Sequence, residues 1–416
     1  MEQWNIAVIG AGASGLMAAY QAAKALGPGS VLLLEGNPKP GKKLLATGNG
    51  RCNLTNLHIA PQHYHGDVEA AAPLLARYPA QRVMDAFGGM GLLCRADGEG
   101  RVYPNNLQAA AVLQTLWDAC REAGVTERWA FPCKGITPQG EGFLLHGPEG
   151  QRLFARQCIL ACGGQASPKH SCPGGGYALA EALGLPVTGL RPSLAPLKSP
   201  AKTLRSLKGM RCKARAALYC QGEAVYAESG EVLFGDGALS GICIFNLSAR
   251  LGETGPAGLE VSLDLLEAMD EAQVLAYLKS LRAAHPQRPA GELFAGALNL
   301  RVGWELVKSL NIPGDKPLSR LGDRDLARAA RLAKDWRFPV TGPGPWESAQ
   351  VTAGGVPLGE VDPETLESKK HPGLYVTGEL LNIDGDCGGY NLHWAWATGL
   401  AAGTAAAQHG KEGERC

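Results

Sequence analysis

The chain opens with an alternation of short apolar runs and amphipathic stretches separated by glycines. Residues 6–9 are apolar, residues 10–15 are rich in glycine, and residues 16–23 carry apolar side chains at helical spacing. A second apolar run, 31–34, ends at Glu35. This order of strand, turn, helix and strand is that of a βαβ unit. It predicts a parallel sheet with helices packed against it.

Three glycines give this turn its chemistry. Gly10 permits a tight turn, Gly12 lets the backbone approach a pyrophosphate, and Gly15 lets the helix pack on the strand. The helix N-terminus then presents N–H groups to phosphate. Glu35 lies twenty residues after Gly15, where a carboxylate can accept hydrogen bonds from an adenosine ribose. A lone GxGxxG is weak evidence, but with both strands and the acid it predicts a dinucleotide site.

Beyond this unit the pattern changes twice. The pattern predicts helices over 67–93, 107–123, 264–310, 323–335 and 393–407, and a further helix at 177–180 opened by Pro173 and three glycines. It predicts short antiparallel strands over 131–136, 143–146 and 153–154, a buried strand over 158–162, and antiparallel alternation over 187–250, with strand-like character resuming over 336–347. The glycine-rich character returns from 349. A dinucleotide-binding domain interrupted by an insertion at about 190–345 accounts for this order, so that opposite ends of the chain form one site.

Two further segments are candidates for cofactor binding. The loop 41–56 is dense in glycine and asparagine and carries Lys42, Lys43 and Arg51. We expect it to wrap the phosphates and ribityl chain of a flavin, although a solvated loop has the same composition. Near the C-terminus, a strand runs into Gly378-Glu379, and a second glycine turn, 384–392, precedes a helix. Backbone N–H groups of 389–392 would stabilise the pyrimidine edge of the flavin; the alternative is an ordinary turn.

Composition narrows the class of protein. The net charge is +1 over 416 residues, which favours neither nucleic acid nor a membrane surface. No apolar stretch reaches the length of a transmembrane helix, and the twelve cysteines show no zinc-ligand spacing. We therefore expect a cytoplasmic protein with reduced thiols and no metal. We expect the cations of 198–215 to be a solvated rim rather than a site for an anionic partner.

Four segments resemble one known family. They are GKKLLATGNGRCNLTN (41–56), GEVLFGDGALSG (230–241), TAGGVPLGEVDPETLESK (352–369) and GLYVTGELLNIDGDCGGYNLHWAWATG (373–399). The chain resembles the BaiN-like flavoproteins, also called the YhiN or aminoacetone-oxidase-type FAD enzymes, over its whole length. The resemblance implies an α/β fold: a Rossmann-like FAD domain of the glutathione-reductase type, an inserted β-barrel-like domain and a small helical domain. It also implies non-covalent FAD.

The resemblance and the motifs together give domain boundaries and a cofactor set. The FAD domain would comprise 1–189 and 346–416, the β-rich substrate domain 190–255 and 320–345, and the helical domain 256–319. By resemblance the cofactor contacts are Gly10, Gly12, Ser14, Gly15, Glu35, Lys43, Leu44, Gly48, Arg51, Asn53, Gly388, Gly389, Tyr390, Asn391 and Leu392, with the backbone near Cys133 by the adenine. Neighbouring positions complete the predicted set: Ala13, Gly36, Thr47, Asn49, Gly50, Cys52, Gly163, Gly378, Glu379 and Asp384.

The chain departs from the family at three places. Gly235-Asp236 stand where a threonine–histidine or similar pair is usual, Ile242 where a proline is usual, and His393 where a glutamine is usual. The first two lie in the insertion, which we expect to cover the flavin ring and select the substrate. The third opens the last helix, where His393, Trp394 and Trp396 are expected to be mainly core residues. Substrate identity is therefore not carried over from the family.

These observations predict an FAD-dependent oxidoreductase that acts on a small molecule through the flavin N5. The sequence identifies no catalytic side chain, since no Ser-His-Asp arrangement or P-loop is present. Asp384 and Asp386 lie in the flavin-type turn and are not expected to bind metal. Only one GxGxxG–acid unit is found, so NAD(P)H, if it is the reductant, would enter the substrate cleft transiently. Two alternatives stay open: an RNA-modifying flavoprotein and a non-catalytic flavin-binding protein.

Overall fold

The computed structural model describes residues 2–170, 174–255 and 257–413. Pro173, expected to precede the glycines that open a helix, lies outside the described residues. Contacts divide the chain into two compact units, which we call unit 1 (1–193 and 349–416) and unit 2 (194–348). The predicted interruption of one domain by an insertion therefore has its counterpart in these units, and each is described by itself.

Unit 1 has fourteen strands in its described part. They are β1 (Glu2–Ile9), β2 (Val31–Leu34), β3 (Thr55–Asn56), β4 (Tyr64–Gly66), β5 (Cys94–Ala96), β6 (Arg101–Pro104), β7 (Thr126–Arg128), β8 (Gly135–Gln139), β9 (Gly142–His146), β10 (Arg152–Leu160), β11 (Arg191–Ser193), β19 (Val351–Ala353), β20 (Leu374–Val376) and β21 (Ile383–Gly385). The main sheet has the order β7-β2-β1-β10-β9-β8, with β20 also paired to β10. Strands β7, β2, β1, β10 and β20 run parallel, as predicted for a βαβ fold.

The helices of unit 1 cover this sheet. They are α1 (Ala13–Leu26), α2 (Lys42–Ala46), α3 (Val68–Arg77), α4 (Ala80–Gly89), α5 (Ala109–Glu122), α6 (Gly175–Ala182) and α12 (Tyr390–Gly413). The helix predicted over 67–93 is two helices, because Pro79 interrupts the backbone hydrogen bonds between them. The separate strands predicted at 153–154 and 158–162 are one strand, β10. Its burial pattern changes from alternating to continuous where its neighbours on both sides, β1 and β20, are parallel strands, as is usual for the parallel part of a sheet covered by helices.

Unit 2 is built on one antiparallel sheet. Its strands are β12 (Leu197–Lys198), β13 (Arg211–Cys220), β14 (Glu223–Phe234), β15 (Ala238–Ser240), β16 (Leu259–Asp264), β17 (Trp336–Pro339) and β18 (Gly342–Pro343), in the order β17-β16-β13-β14-β15-β12-β18. Its helices are α7 (Thr203–Ser206), α8 (Ile242–Ala249), α9 (Glu271–Ala284), α10 (Leu300–Ser309) and α11 (Asp323–Lys334).

The helical and β-rich segments of unit 2 share one core. Strand β16 falls inside the segment 256–319, which was expected to be helical, and pairs with β13. Side chains from the sheet, such as Phe234, and from the helices, such as Leu278 and Leu306, belong to one buried cluster. The helix α8 was not predicted, because its run of apolar residues continues the alternating stretch before it without a change of period.

Two helices of unit 1 pack unusually closely. A Cβ on Gly399 of α12 would lie 2.6 Å from the carbonyl oxygen of Ser14, and one on Gly403 would lie 2.5 Å from that of Ala18. The Gln21 amide donates to Thr404 Oγ1 at 3.1 Å. Residue numbers rise together along both helices, so α12 runs parallel to α1. The start of the last helix is thereby fixed relative to the first glycine turn.

Candidate cofactor and active site

The first glycine turn is closed by backbone and open at one position. A Cβ on Gly10 would lie 2.5 Å from the carbonyl oxygen of Ala161, and one on Gly15 would lie 1.8 Å from that of Gly10. Both positions therefore require glycine. A Cβ on Gly12 would meet no atom within 4 Å. Gly12 is the N-cap of α1 and makes no side-chain capping bond, so the first N–H groups of α1 face open space.

Glu35 is tied to this turn. Its Oε2 accepts a hydrogen bond from the Ala11 N–H at 2.8 Å, and its Oε1 accepts from the backbone and side-chain amides of Asn37, both at 2.8 Å. The side chain is buried at the end of β2. A carboxylate has about four acceptor positions, so one remains for a further donor. The residue predicted to bind ribose thus also holds the glycine turn, a role that sequence spacing alone did not show.

The segment before Cys133 runs beside this acid. The Phe131 N–H donates to the Glu35 carbonyl at 2.8 Å, and the Ala130 N–H donates to that of Asn37 at 2.9 Å. Cys133 itself lies in the core margin, where burial raises the pKa of its thiol to about 11. On the other side of the turn, Gly163 follows β10 with a φ of +71° and open space at its Cβ position. The structure therefore gathers these segments around one turn.

The loop 41–56 begins at the same place and continues in left-handed backbone. The Gly41 N–H donates to the Ala11 carbonyl at 2.9 Å. Leu44 is buried, and Thr47 Oγ1 donates to its carbonyl at 2.6 Å. Positive φ values then occur at Gly48, Asn49, Gly50 and Cys52. Left-handed non-glycine residues carry strain that recurs at functional sites. The Cys52 side chain is buried, which raises the pKa of its thiol to about 12.

The charged side chains of the loop separate into two groups. Lys43 Nζ lies 2.7 Å from Glu379 Oε2, and both side chains are largely buried. Arg51 is exposed and lies over the Tyr103 ring at 5.8 Å. The loop thus contributes one cation, Lys43, to the interior and two, Lys42 and Arg51, to the surface. Gly36, which follows Glu35 and precedes the loop 41–56 in the sequence, is partly buried.

Glu379 connects four segments of unit 1. Its Oε1 accepts from the Thr352 N–H at 2.7 Å, and a Cβ on Gly164 would lie 2.6 Å from that oxygen. The Tyr177 hydroxyl donates to the Glu379 carbonyl at 3.1 Å. The preceding residue, Gly378, has a φ of +66° and places its Cα beside Ser14, since a Cβ there would lie 2.8 Å from Ser14 Oγ. Ala13 and Ser14 form the first turn of α1.

The second glycine turn is held by side chains from distant segments. Asn391 Oδ1 accepts from the Gly385 N–H at 2.8 Å, and its Nδ2 donates to the Gly385 carbonyl at 2.7 Å. Asn56 Nδ2 donates to the Gly388 carbonyl at 3.0 Å. A Cβ on Gly389 would lie 2.5 Å from the carbonyl oxygen of Thr55. Loop 41–56 and turn 384–392 therefore touch directly, and the Leu392 side chain beside them is partly exposed.

Two buried polar atoms at this junction have no hydrogen-bond partner. Asn53 Oδ1 is buried without a partner, and a Cβ on Gly389 would lie 2.7 Å from it. His393 Nδ1 lies 2.8 Å from Thr55 Oγ1, while its Nε2 has no partner of good geometry. Burial lowers the pKa of His393 to about 4, with the Tyr78 backbone opposing the shift. An unsatisfied buried acceptor such as Asn53 Oδ1 indicates a missing donor, such as a ligand N–H or hydroxyl.

The two helix N-termini have a spacing that suits an extended dinucleotide. Gly399 contacts Ser14, and the first residue of α12, Tyr390, stands nine residues earlier. At 1.5 Å per residue, α12 therefore begins about 13 Å beyond this contact. Both helices lack acidic residues in the first turn, which keeps the positive end of each dipole uncompensated. One N-terminus would suit phosphate and the other the electron-rich edge of a flavin.

Sequence analysis missed a polar network beside the second turn. Asp386 lies 3.0 Å from His65 Nε2 and 3.3 Å from His63 Nδ1, and the His63 ring stacks on Tyr390. Asp384, predicted as a cofactor contact, accepts from Ser193 Oγ at 2.7 Å, and burial raises the pKa of its carboxyl. The signal available in the sequence was the spacing alone, with histidines two apart at 63 and 65 and aspartates two apart at 384 and 386.

The positions of the insertion at which this chain departs from the family it resembles lie in unit 2. Asp236 is exposed and pairs with Lys208 at 3.1 Å. With Gly237 it borders a hollow of about 470 Å³ whose other walls come from 196–200, 341–345 and Ser348. Ile242 begins α8 with half of its side chain exposed. In the described parts of the chain, no three His, Cys, Asp or Glu side chains are grouped to hold a metal, and no helix has the length and apolarity needed to cross a membrane.

The fold and the turns define a Rossmann-type, dinucleotide-binding protein. The comparisons agree with this class. The model of the HI0933-like protein Rossmann domain matches residues 4–405. The chain therefore belongs to the HI0933-like family, which confirms the predicted fold class and BaiN-like resemblance.

Two curated relatives cover nearly the whole chain. The 3-dehydro-bile acid delta(4,6)-reductase of Clostridium scindens is 36% identical over 97% of this chain and 99% of its own length. The ribosomal RNA dihydrouridine synthase of Escherichia coli strain K12 is 30% identical over 96% of this chain and 97% of its own. Among solved structures, an E. coli quinol fumarate reductase matches with a TM-score of 0.52 at 15% identity, over 99% of this chain and 72% of its own, which shows the fold alone. The predicted class of enzyme, an oxidoreductase, is confirmed.

Proposed function

We propose that this protein is an FAD-dependent reductase that saturates a carbon–carbon double bond conjugated to a carbonyl group. The observation that supports FAD as the cofactor is the pair of helix N-termini preceded by glycine turns, about 13 Å apart along parallel helices. The unsatisfied Asn53 Oδ1 lies beside the second of these N-termini. When bound, FAD supplies the two-electron redox chemistry. The open position at Gly12 fits its pyrophosphate.

The reaction class is supported by what the names of the two relatives share. A 3-dehydro bile acid with a Δ4 bond is an α,β-unsaturated ketone, and dihydrouridine is uridine with its C5–C6 bond, conjugated to the C4 carbonyl, saturated. In both molecules the bond is polarised by the carbonyl, so that electrons enter at the carbon farther from it and a proton enters at the carbon next to it. We assign this chemistry to the present chain.

The residues would divide the work as follows. The first turn of α1 would hold the pyrophosphate, and Glu35 the adenosine ribose. Loop 41–56 would contact the ribityl chain through Lys43, Gly48 and Asn53. Residues 388–392 would place their N–H groups at the pyrimidine edge, where negative charge grows on reduction. The Asn391 side chain is occupied by Gly385, so only its backbone is offered to the cofactor.

The substrate we favour is a small, largely apolar enone such as a 3-oxo-Δ4 steroid. The relative with the higher identity acts on a 3-dehydro bile acid, and the identity extends over the whole of both chains. The hollow at Asp236 and Gly237 lies where this chain departs from its family. We therefore infer that unit 2 selects the substrate. NAD(P)H is proposed as reductant only by analogy with other reductases of this chemistry.

Uridine in RNA is the second candidate substrate, and one observation favours it. In the run 198–215, Lys208, Arg211 and Arg215 are paired with Asp236, Glu231 and Glu267. Lys198, Lys202, Arg205 and Lys213 are exposed, and no ion pair involves them within the described residues. Four phosphate contacts with a single strand would make the slope of log K against log salt about −3.

The test begins with the visible spectrum of the purified protein. We expect a yellow protein whose pigment is released by acid precipitation and has the mass of FAD. The protein is then reduced with dithionite without oxygen and mixed with 4-androstene-3,17-dione, uridine or a uridine-containing oligoribonucleotide. Rapid flavin reoxidation by the steroid supports the enone proposal. Reoxidation by the oligonucleotide alone supports the RNA candidate, and FMN, a colourless protein or no reoxidation by any of them contradicts the proposal.

The RNA candidate has its own control. Lys202→Ala with Arg205→Ala removes two unpaired cations without breaking an ion pair. If RNA is the substrate, reoxidation by the oligonucleotide should slow and its salt dependence weaken by about 1.4 in slope. If the steroid is the substrate, its reaction should be unchanged. Bound FAD with no turnover by any reductant or acceptor would instead indicate a non-catalytic flavin-binding protein.

A further inference from the structure

We propose that His63, held by Asp386, donates the proton that completes the reduction at the carbon next to the substrate carbonyl. The inference rests on the proposed function. It assigns a catalytic residue that neither the motifs nor the family resemblance indicated. The assignment comes from the position of His63, which lies against the second glycine turn.

Backbone pairing fixes this placement. Strands β4 and β21 are antiparallel, with His65 opposite Asp384 and Tyr64 opposite Gly385. The Asp386 N–H donates to the His63 carbonyl at 2.9 Å, which extends the pairing by one step. His63 and Asp386 are therefore neighbours across the strand pair at the point where β21 leaves for the glycines of 388–389. A residue at this end of the β4–β21 pair therefore lies close to the start of α12.

The side chains then orient the imidazole. Asp386 Oδ2 lies 3.3 Å from His63 Nδ1, and the side chain of Asp386 is only 5% exposed while that of His63 is 30% exposed. A buried carboxylate at Nδ1 favours the tautomer with its proton there and aims Nε2 away from the carboxylate. Nε2 is then the atom that can exchange a proton with substrate and solvent.

The ring is also held by aromatic packing beside the turn. The His63 and Tyr390 rings are stacked, with centroids 4.4 Å apart and planes 19° apart. The Tyr64 ring meets Tyr390 edge-on, and its hydroxyl donates to the Tyr390 carbonyl at 3.1 Å. Tyr390 is the first residue of α12, whose N–H groups are assigned to the flavin. The imidazole is thus fixed against the element that would bear the flavin ring.

Asp386 also contacts a second histidine, so the network is larger than the single pair of His63 and Asp386. Asp386 Oδ1 lies 3.0 Å from His65 Nε2, and both of these side chains are 5% exposed. The neighbouring Asp384 is buried as well and bonds Ser193. The exposed edge of His63 gives this network a route to solvent, which a proton donor needs after each turnover.

The proton step balances as follows. When bound, the reduced flavin would supply a hydride, which forms a C–H bond at the carbon farther from the carbonyl, and the electron pair of the double bond would then be held as the enolate. The enolate carbon next to the carbonyl then forms a C–H bond with the proton as the N–H bond at His63 Nε2 breaks. The pair of electrons in the new bond comes from the enolate, and the cationic imidazole becomes neutral. His63 regains its proton from water at its exposed edge.

The experiment compares His63→Gln with His285→Gln, an exposed histidine of unit 2. Each variant is loaded with FAD, reduced by dithionite and mixed without oxygen with 4-androstene-3,17-dione or with ferricyanide, which accepts electrons and needs no proton at carbon. We expect His63→Gln to retain its FAD and react normally with ferricyanide. Its reaction with the steroid should slow by about 100-fold or more, as when a general acid is lost. His285→Gln should react as the wild type does.

The position of Asp386 has a readout that needs no turnover. In the protein without FAD, the ring ¹⁵N shifts of His63 should show the proton at Nδ1, and Asp386→Asn should shift the population toward Nε2. Asp386→Asn should also slow the steroid reaction. Equal shifts in both proteins would overturn the positioning role.

The outcomes separate the two proposals. If the wild type reduces the steroid and His63→Gln does so at the same rate, the assignment of His63 is wrong and the proposed function stands. If His63→Gln loses FAD or reacts slowly with ferricyanide as well, His63 is structural and the assignment is again wrong. If the wild type itself fails with every enone, the proposed function fails.

Discussion

The two glycine turns of unit 1 do similar work with different construction. The first, 10–15, is closed by its own backbone and by Ala161 of the neighbouring strand, and Glu35 is the side chain that ties it. The second, 384–392, is held by Asn391, Asn56 and the ring of Tyr390, and it borders the His63–Asp386 pair. Backbone closure requires glycine at fixed spacing, so it leaves a motif. The second turn also depends on Asn56, which is distant in sequence, and this part of its construction leaves no local motif.

This difference explains why the first turn was predictable and the second less so. The strand β2 (Val31–Leu34) was predicted with its bounds, and α1 and β1 were placed to within a few residues, because local periodicity and glycine spacing determine them. The β4–β21 pairing joins segments more than 300 residues apart and only three residues long. Nothing in the local pattern of either segment distinguishes it from a loop, so the contacts of His63 and His65 with Asp386 could be found only in three dimensions.

The largest expected effect contrasts two glycines of the first turn. Gly15→Ala would place a Cβ 1.8 Å from the Gly10 carbonyl oxygen, whereas Gly12→Ala meets no protein atom within 4 Å. We expect Gly15→Ala to lower the free energy of unfolding by at least about 3 kcal/mol, the upper end for overpacking. Gly12→Ala should unfold as the wild type does but purify with much less FAD, because its methyl group would stand where the pyrophosphate approaches.

Urea unfolding and the ratio of flavin to protein absorbance measure the two effects. A Gly12→Ala protein with full FAD content would contradict the assignment of the pyrophosphate to this turn. A Gly15→Ala protein of unchanged stability would contradict the backbone closure described for it.

The second prediction concerns the ribose acid. Because Glu35 also accepts from Ala11 and Asn37, Glu35→Ala would disturb the turn as well as the cofactor, whereas Glu35→Gln keeps one acceptor oxygen and removes the charge. A charge-assisted hydrogen bond contributes about 1.5–3 kcal/mol, so the Kd for FAD should rise about tenfold to a hundredfold. Titration of the protein freed of FAD measures this. An unchanged Kd for FAD in Glu35→Gln would contradict the assignment of the ribose to the Glu35 carboxylate.

The third prediction tests side-chain closure at the second turn. Asn391→Ala deletes both hydrogen bonds to Gly385. Each net hydrogen bond is worth about 0.5–1.5 kcal/mol, so stability should fall by about 1–3 kcal/mol. Asn311→Ala is the control for FAD affinity alone, since Asn311 is an exposed asparagine of unit 2 whose φ of +59° makes alanine unfavourable for stability there. If the turn holds the pyrimidine edge, Asn391→Ala should also weaken FAD binding while Asn311→Ala does not. Equal FAD affinity in both variants would mean that the turn does not contact the cofactor.

The smallest expected effect is a pH dependence localised behind the second turn. Burial lowers the pKa of His393 from its ordinary value of 6.5 to about 4. The unfolded state therefore binds the proton first as the pH falls. The stabilising effect of the neutral ring is complete above pH 6.5 and is lost progressively down to about pH 4. Between pH 7 and pH 5 this loss should be about 2 kcal/mol. His393→Gln carries no titrating ring, so its stability should fall by about 2 kcal/mol less over the same interval. Urea unfolding at the two pH values compares the proteins, and parallel losses in both would show that His393 is not the group that titrates. The first turn contains no histidine, so we expect no pH dependence of stability from its residues over this interval. A difference between the wild type and His393→Gln would therefore come from the region of the second turn.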